Sequence, residues 1–133
     1  MSETPGGTLL LHNTMRITEG HLEAYREAIE AAVAFTREHA PQLMVEVFLD
    51  EEHMRAHSFQ LYADSDAVLR HWGLSDPYIR AVNEHCEVLS LEVYGDPDDR
   101  VRAGLPAPEA GVPITFLPRL AGFVRPLPPP AEG

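Results

Sequence analysis

The sequence holds a single cysteine, Cys86, so no disulfide can form within the chain and the fold must rest on its core. Positive charge is also scarce: ten Lys and Arg face 21 Asp and Glu, for a formal charge of -11. That balance offers no basic patch to neutralise nucleic-acid phosphates or to hold an anionic membrane surface. No apolar run is long enough for a membrane helix, and Met1 to Thr8 lacks a basic stretch followed by an apolar one. The expectation is a cytoplasmic protein whose partners are neither nucleic acid nor membrane.

Several catalytic and metal signatures are missing too. Among seven histidines, none forms a helical His-x-x-x-His or His-Glu-x-x-His pair. Gly6-Gly7 precedes a strand and opens no helix, so it is no phosphate loop. There is no Gly-x-Ser-x-Gly elbow. Cys86, at the start of a strand, reads as an inert packing thiol.

What is present is an ordinary apolar fraction for a globular domain and an uneven distribution of proline. Eight of twelve prolines lie between Pro106 and Pro130. We therefore divide the 133 residues into an arm at 1–7, a compact unit at 8–104 and a Pro-rich extension at 105–133. Within the extension, Val112 to Leu117 suits a short extended segment and Ala121 to Arg125 suits docking. Pro126 to Gly133 is expected to be mobile.

The compact unit reads as β-α-β-β-α-β. Leu9 to Arg16 is strand-like. Thr18 suits a helix cap, and Leu22, Tyr25, Ile29, Ala32, Val33 and Thr36 follow at helical spacing until Pro41. Gln42 to Asp50 and Met54 to Tyr62 form a hairpin around Glu51-Glu52-His53. Asp64 or Ser65 caps a short helix through Trp72. A second short helix starts at Ser75 and ends near His85, and Glu87 to Tyr94 is the last strand. This order gives a ferredoxin-like α+β sandwich: a four-stranded antiparallel sheet with helices on one face.

Alternation sends Leu43, Val45, Val47 and Leu49 toward the helices. Met44 and Phe48 then point the other way, expected beside Leu10, His12, Glu46, Gln60, Tyr62, Glu92 and Tyr94. An open face with large apolar groups needs a cover, and an identical chain supplies one. The expected partner is thus a second copy, forming a homodimer through the sheet face.

The chain resembles the antibiotic-biosynthesis-monooxygenase family of dimeric α+β barrels. The likeness spans about Leu9 to Leu105. It rests on His12-Asn13-Thr14-Met15-Arg16 leading into Thr18-Glu19-Gly20, on Phe59-Gln60-Leu61-Tyr62 leading into Asp64, and on Glu92-Val93-Tyr94-Gly95-Asp96-Pro97. The resemblance implies a pocket between sheet and helices. Asn13 shares parity with Leu9, Leu11 and Met15, and is either a structural amide or a ligand-facing one. His57, read with Phe59 and Leu61, is expected in the same space, as core residue or base. His71, Trp72 and Tyr78 come from the short helices, where an indole and a phenol suit a flat aromatic ligand.

In cofactor-free quinone-forming members, a Trp and a Tyr six positions later line the pocket, and Trp72 and Tyr78 match. An Asn four residues before that Trp is Val68 here, and the last strand carries Glu92 where those enzymes have an Arg. In haem-degrading members, Asn13 and Trp72 match, but the axial position is Val82, with His85 one turn on. The resemblance thus implies a monooxygenase that uses no cofactor and no metal and oxidises an electron-rich phenol or hydroquinone with O₂. Its catalytic set would be Asn13, Trp72, Tyr78 and either His57 or His71 as base. The alternatives are a non-catalytic module that binds a small ligand and, third, a haem binder.

Overall fold

The computed structural model describes residues 7–125. The arm up to residue 6 and the stretch expected to be mobile, Pro126 to Gly133, lie outside the described residues. Strand β1 (Leu9–Ile17) opens the domain. Helix α1 (Leu22–His39) follows after a turn in which the His21 N–H donates to the Thr18 carbonyl and Gly20 takes φ +83°. Thr18 therefore shapes a turn and caps nothing, and His21 at the helix entry makes no side-chain cap. Ala40 is extended, as the residue before Pro41 must be, and the helix stops there.

Strands β2 (Met44–Asp50) and β3 (Arg55–Tyr62) form the expected hairpin. Helix α2 (Ser65–Asn83) is one element where two short ones were expected. Asp64 caps it, its Oδ1 accepting from Ala67 N–H at 2.9 Å. Pro77 deletes one helix hydrogen bond, but the buried stripe Val68, His71, Ser75 and Val82 runs past it at steps of three, four and seven. Packing along that stripe outweighs the break. Strand β4 (Cys86–Tyr94) returns beside β1.

The larger correction concerns the sheet. Among the described residues it has five strands in the order β2-β3-β1-β4-β5 and is mixed, because β5 (Ile114–Leu117) pairs parallel to β4. A further short helix, α3 (Asp99–Gly104), precedes it, capped by Asp98. Residues 118–125, the described part of the chain after β5, do not dock: Leu120, Phe123 and Val124 are exposed.

Register fixes which side chains share a face. In β1 and β3 the cross-strand pairs are Leu9 with Tyr62, Leu11 with Gln60, Asn13 with Ser58 and Met15 with Ala56. Directly opposed residues project to the same side. Gln60 and Tyr62 thus face the helices, and Tyr62 is 2 % exposed. His57 and Phe59 face the open side, the reverse of the expected parity. Leu43 also departs: it precedes β2 and is exposed, while Val45 and Val47 point inward as expected. A shift in the β1–β4 pairing between Thr14 and Met15 makes Leu89 the extra residue of a bulge. Val88 and Leu91 can then both face the helices.

The core lies between sheet and helices in two clusters. One gathers Leu9, Leu11, Tyr62, Val68, Leu91, Val93 and Val101. The other gathers Met15, Ile17, Tyr25, Ala56 and Val82. Each fully buried Leu or Val side chain contributes about 1.5–3 kcal/mol over its exposed state. Between the clusters the layers do not close.

Candidate functional site

The gap is a cavity of about 250 Å³. Its floor is the helix-facing side of the sheet: Leu11, Asn13, Met15, Val45, Val47, Ser58, Gln60, Val88 and Leu91. Its roof is α1, through Ile29, Ala32, Val33 and Thr36, and α2, through His71, Trp72, Ser75, Tyr78, Ile79, Val82 and Asn83. Leu105 and Pro106, just past α3, complete the wall.

The structure brings Asn13, His71, Trp72 and Tyr78 to this one cavity. His57 is on the other side of the sheet. Tyr78 stacks on Phe35 of α1 with ring centroids 4.5 Å apart, which ties the two helices together and fixes the phenol ring. Trp72 lies against Gly104: a Cβ there would sit 2.5 Å from its Cζ3. A glycine at that point lets the end of α3 close on the indole.

Among the described residues, none lining the cavity carries a formal charge at neutral pH. His71 is 6 % exposed, and burial pulls its imidazole down to about 4, so it is neutral. Its Nδ1 lies 2.9 Å from Ser75 Oγ. On the floor, the Tyr62 hydroxyl and Gln42 Nε2 each donate to Gln60 Oε1 at 2.8 Å, and Gln60 Nε2 donates to Ser58 Oγ at 3.2 Å. Burial raises the Tyr62 phenol above its ordinary value, so it stays a proton donor. Two donors on one oxygen lock the Gln60 amide. Gln42 Oε1 is buried without a partner. Asn13 has no side-chain hydrogen bond among the described residues.

Ser58, Gln60 and Ser75 were missed in the sequence reading. Ser75 carries a readable signal, because it lies one helical turn after His71. Ser58 and Gln60 could be found only through the β1–β3 register.

The positions that would hold an anion or iron are otherwise filled. Val68 is fully buried in the core. Arg119 bonds the Gly122 carbonyl and Arg125 lies over the Phe123 ring, both exposed and neither on the cavity. Val82 lines the cavity at the place expected for an axial ligand. His85 instead sets its Nδ1 3.1 Å from Nδ1 of His21. The residues present do not fit a haem. Among the described residues no three His, Cys, Asp or Glu converge as a metal site. Cys86 is half-buried, and burial pushes its thiol up to about 11, far from a nucleophilic thiolate. No helix among the described residues is long and apolar enough to cross a membrane.

On the opposite face, His57 belongs to a different network. Nδ1 of His12 lies 2.8 Å from Glu92 Oε1, and its Nε2 lies 3.1 Å from His57 Nδ1. His12 stacks on Phe59 at 4.2 Å. Phe48 is 55 % exposed and Tyr94 36 %. No helix among the described residues covers this side.

No family model matches the chain, and no curated protein matches it. Solved structures do. MupZ from Pseudomonas fluorescens superposes with a TM-score of 0.71 at 20 % identity, over 90 % of this chain and 96 % of that one. SnoaB, a cofactor-independent oxygenase from Streptomyces nogalater, gives 0.58 at 10 % identity, over 69 % and 95 %. A Caulobacter crescentus protein assigned as an antibiotic biosynthesis monooxygenase gives 0.58 at 16 %, over 66 % and 88 %. At these identities the likeness is one of fold: the chain has the architecture of the antibiotic-biosynthesis-monooxygenase type.

Proposed function

From that architecture and its cavity, we propose that the protein is a small-molecule oxygenase that needs no bound cofactor and acts on an uncharged, electron-rich phenol or hydroquinone-type ring. The observation that carries this reading is a charge-free cavity walled by Trp72 and Tyr78, with hydrogen-bonding groups on floor and roof. Apolar and aromatic walls with few polar groups suit a ring-sized ligand. A ligand with a localised permanent charge would lose its hydration there without gaining a counter-ion, whereas a phenol enters neutral and its anion, once formed, is held by donors.

The chemistry uses the substrate as the reductant. On a ring whose carbon para to the phenol oxygen bears hydrogen, a phenolate hands one electron to O₂, and the resulting radical pair joins at that carbon. The O–O bond then breaks: one oxygen stays as a new carbonyl, and the other leaves as water with the hydrogens of that C–H and of the phenol. Four electrons pass from ring to O₂, and the product is a quinone. The chain's part is to hold the ring, exclude water and stabilise the anion. Trp72 and Tyr78 hold the ring. Asn13 donates from the floor, and His71 faces it from the roof. The test is O₂ uptake by metal-free protein over a panel of phenols, hydroquinones and anthrones. Uptake matched by quinone formation is expected. None across the panel, with the protein folded, overturns the reading.

A second reading, a non-catalytic carrier of an apolar metabolite, is favoured by the lack of any cationic side chain on the cavity. Asn13→Ala separates the two: a carrier changes only in affinity, an oxygenase in turnover.

We infer further that a second copy covers the open sheet face. Exposed Phe48 and Tyr94, beside the His12–His57–Glu92 network, support a homodimer. Sedimentation velocity at micromolar concentration is expected to give twice the chain mass. A monomer at all concentrations would sink it.

A further inference from the structure

We propose that His71 serves the cavity as a hydrogen-bond donor through Nε2–H, and that Ser75 is the positioning residue that holds it in that tautomer. The ligand it takes is an oxygen acceptor: a quinone or anthrone carbonyl, or a phenolate. This rests on reading the cavity as a binding site for such rings.

The argument is an accounting of protons. Ser75 is 1 % exposed, so its hydroxyl cannot turn to bulk water. Among the described residues its oxygen has one hydrogen-bond partner, His71 Nδ1 at 2.9 Å. A buried donor left without an acceptor costs about 1–3 kcal/mol. The hydroxyl therefore donates to Nδ1. Nδ1 must then be the bare nitrogen, and in a neutral ring the proton sits on Nε2. Burial keeps the ring neutral at pH 7. The opposite arrangement, Nδ1–H donating to Ser75, would strand the serine proton.

His71 is thus no general base in the resting protein. Its place in the chemistry is to polarise a bound oxygen from the roof while Asn13 does so from the floor. A cavity furnished with donors lowers the pKa of a bound phenol and holds the anion, whose proton passes to bulk solvent. It also prefers ligands rich in acceptors over amines or cations.

Nitrogen-15 NMR of the histidine side chains in the full chain tests this without a ligand. At pH 7, a pyridine-type Nδ1 and a pyrrole-type Nε2 are expected for His71. Ser75→Ala removes the donor to Nδ1, so that nitrogen should take up a proton about tenfold more readily, raising the midpoint by about one pH unit. Ser75→Thr keeps a hydroxyl and should restore the wild-type value. A pyrrole-type Nδ1 in the wild type would overturn the proposal. So would a Ser75→Ala midpoint equal to or below the wild type, since loss of an acceptor from Nδ1–H shifts it downward. A protein with the expected tautomer that consumes no O₂ would count against the oxygenase reading alone.

Discussion

The two faces of the sheet carry the same residue types and treat them in opposite ways. Each holds histidine in a hydrogen-bonded pair. Toward the helices, His71 bonds an uncharged serine among apolar neighbours and loses its ability to hold a proton near neutrality. On the open face, His12 lies between a carboxylate and a second imidazole, partly wet, with exposed phenylalanine nearby. Dry surroundings without counter-charge make an imidazole neutral and directional. On the other face a carboxylate oxygen lies 2.8 Å from the His12 ring, a hydrogen-bond acceptor that the cavity does not offer. Residue type does not set the role here; the nearest charge and the access of water do.

The sharpest way to break this contrast is to place one charge on each face. Leu91→Asp puts a carboxylate into a site 4 % exposed and should cost more than about 3 kcal/mol in urea unfolding. Phe48→Asp, at a residue 55 % exposed, should leave monomer stability within about 1 kcal/mol while abolishing the proposed dimer in sedimentation. Equal losses of stability would erase the distinction.

The next effect is a pH dependence. Folded His71 titrates at about 4, below its ordinary 6.5. Above 6.5 both states leave it neutral, and its contribution is fully present. As pH falls from 6.5 to 4 the unfolded chain binds a proton that the folded chain refuses, so stability drops by up to about 3 kcal/mol. His71→Gln should flatten that part of the stability curve. A curve unchanged by the substitution would mean His71 is not shielded from water.

Activity supplies a third contrast. Asn13→Ala should reduce kcat about 10–100-fold with little change in KM, because its donor counts most when charge develops on the ring oxygen. Trp72→Phe should mainly raise KM. A smaller structural effect is expected at Gly104, where alanine would meet Trp72 Cζ3 at 2.5 Å. A loss of about 1–3 kcal/mol should accompany an altered emission spectrum of the single tryptophan. The smallest effect belongs to Glu92→Gln on the open face. Its pair with His12 is partly solvated, and urea unfolding of the monomer should change by no more than about 1 kcal/mol.

The site was legible in uneven measure. Asn13 was placed correctly because β1 has an unambiguous inner row: Leu9, Leu11 and Met15 are apolar. Trp72 and Tyr78 reached the cavity although α2 was read as two helices, because the same helical period runs through both halves. His57 was placed on the wrong face. In β3 the outward row holds Phe59 and Leu61, and the inward row holds Ser58 and Gln60. A polar cavity floor imitates a solvent face, so alternation alone chose the wrong side.

The sequence by itself determined the β-α-β-β-α-β order of the compact unit, the hairpin, the position of α1 and the inner row of β1, because these follow from local spacing and turn chemistry. Tertiary structure alone decided the pairing of β5 with β4, the continuity of α2 past Pro77, the orientation of β3, and the meeting of Ser75 with His71 in a charge-free cavity. Those depend on register and on burial between distant segments, and neither is written in any single stretch of chain.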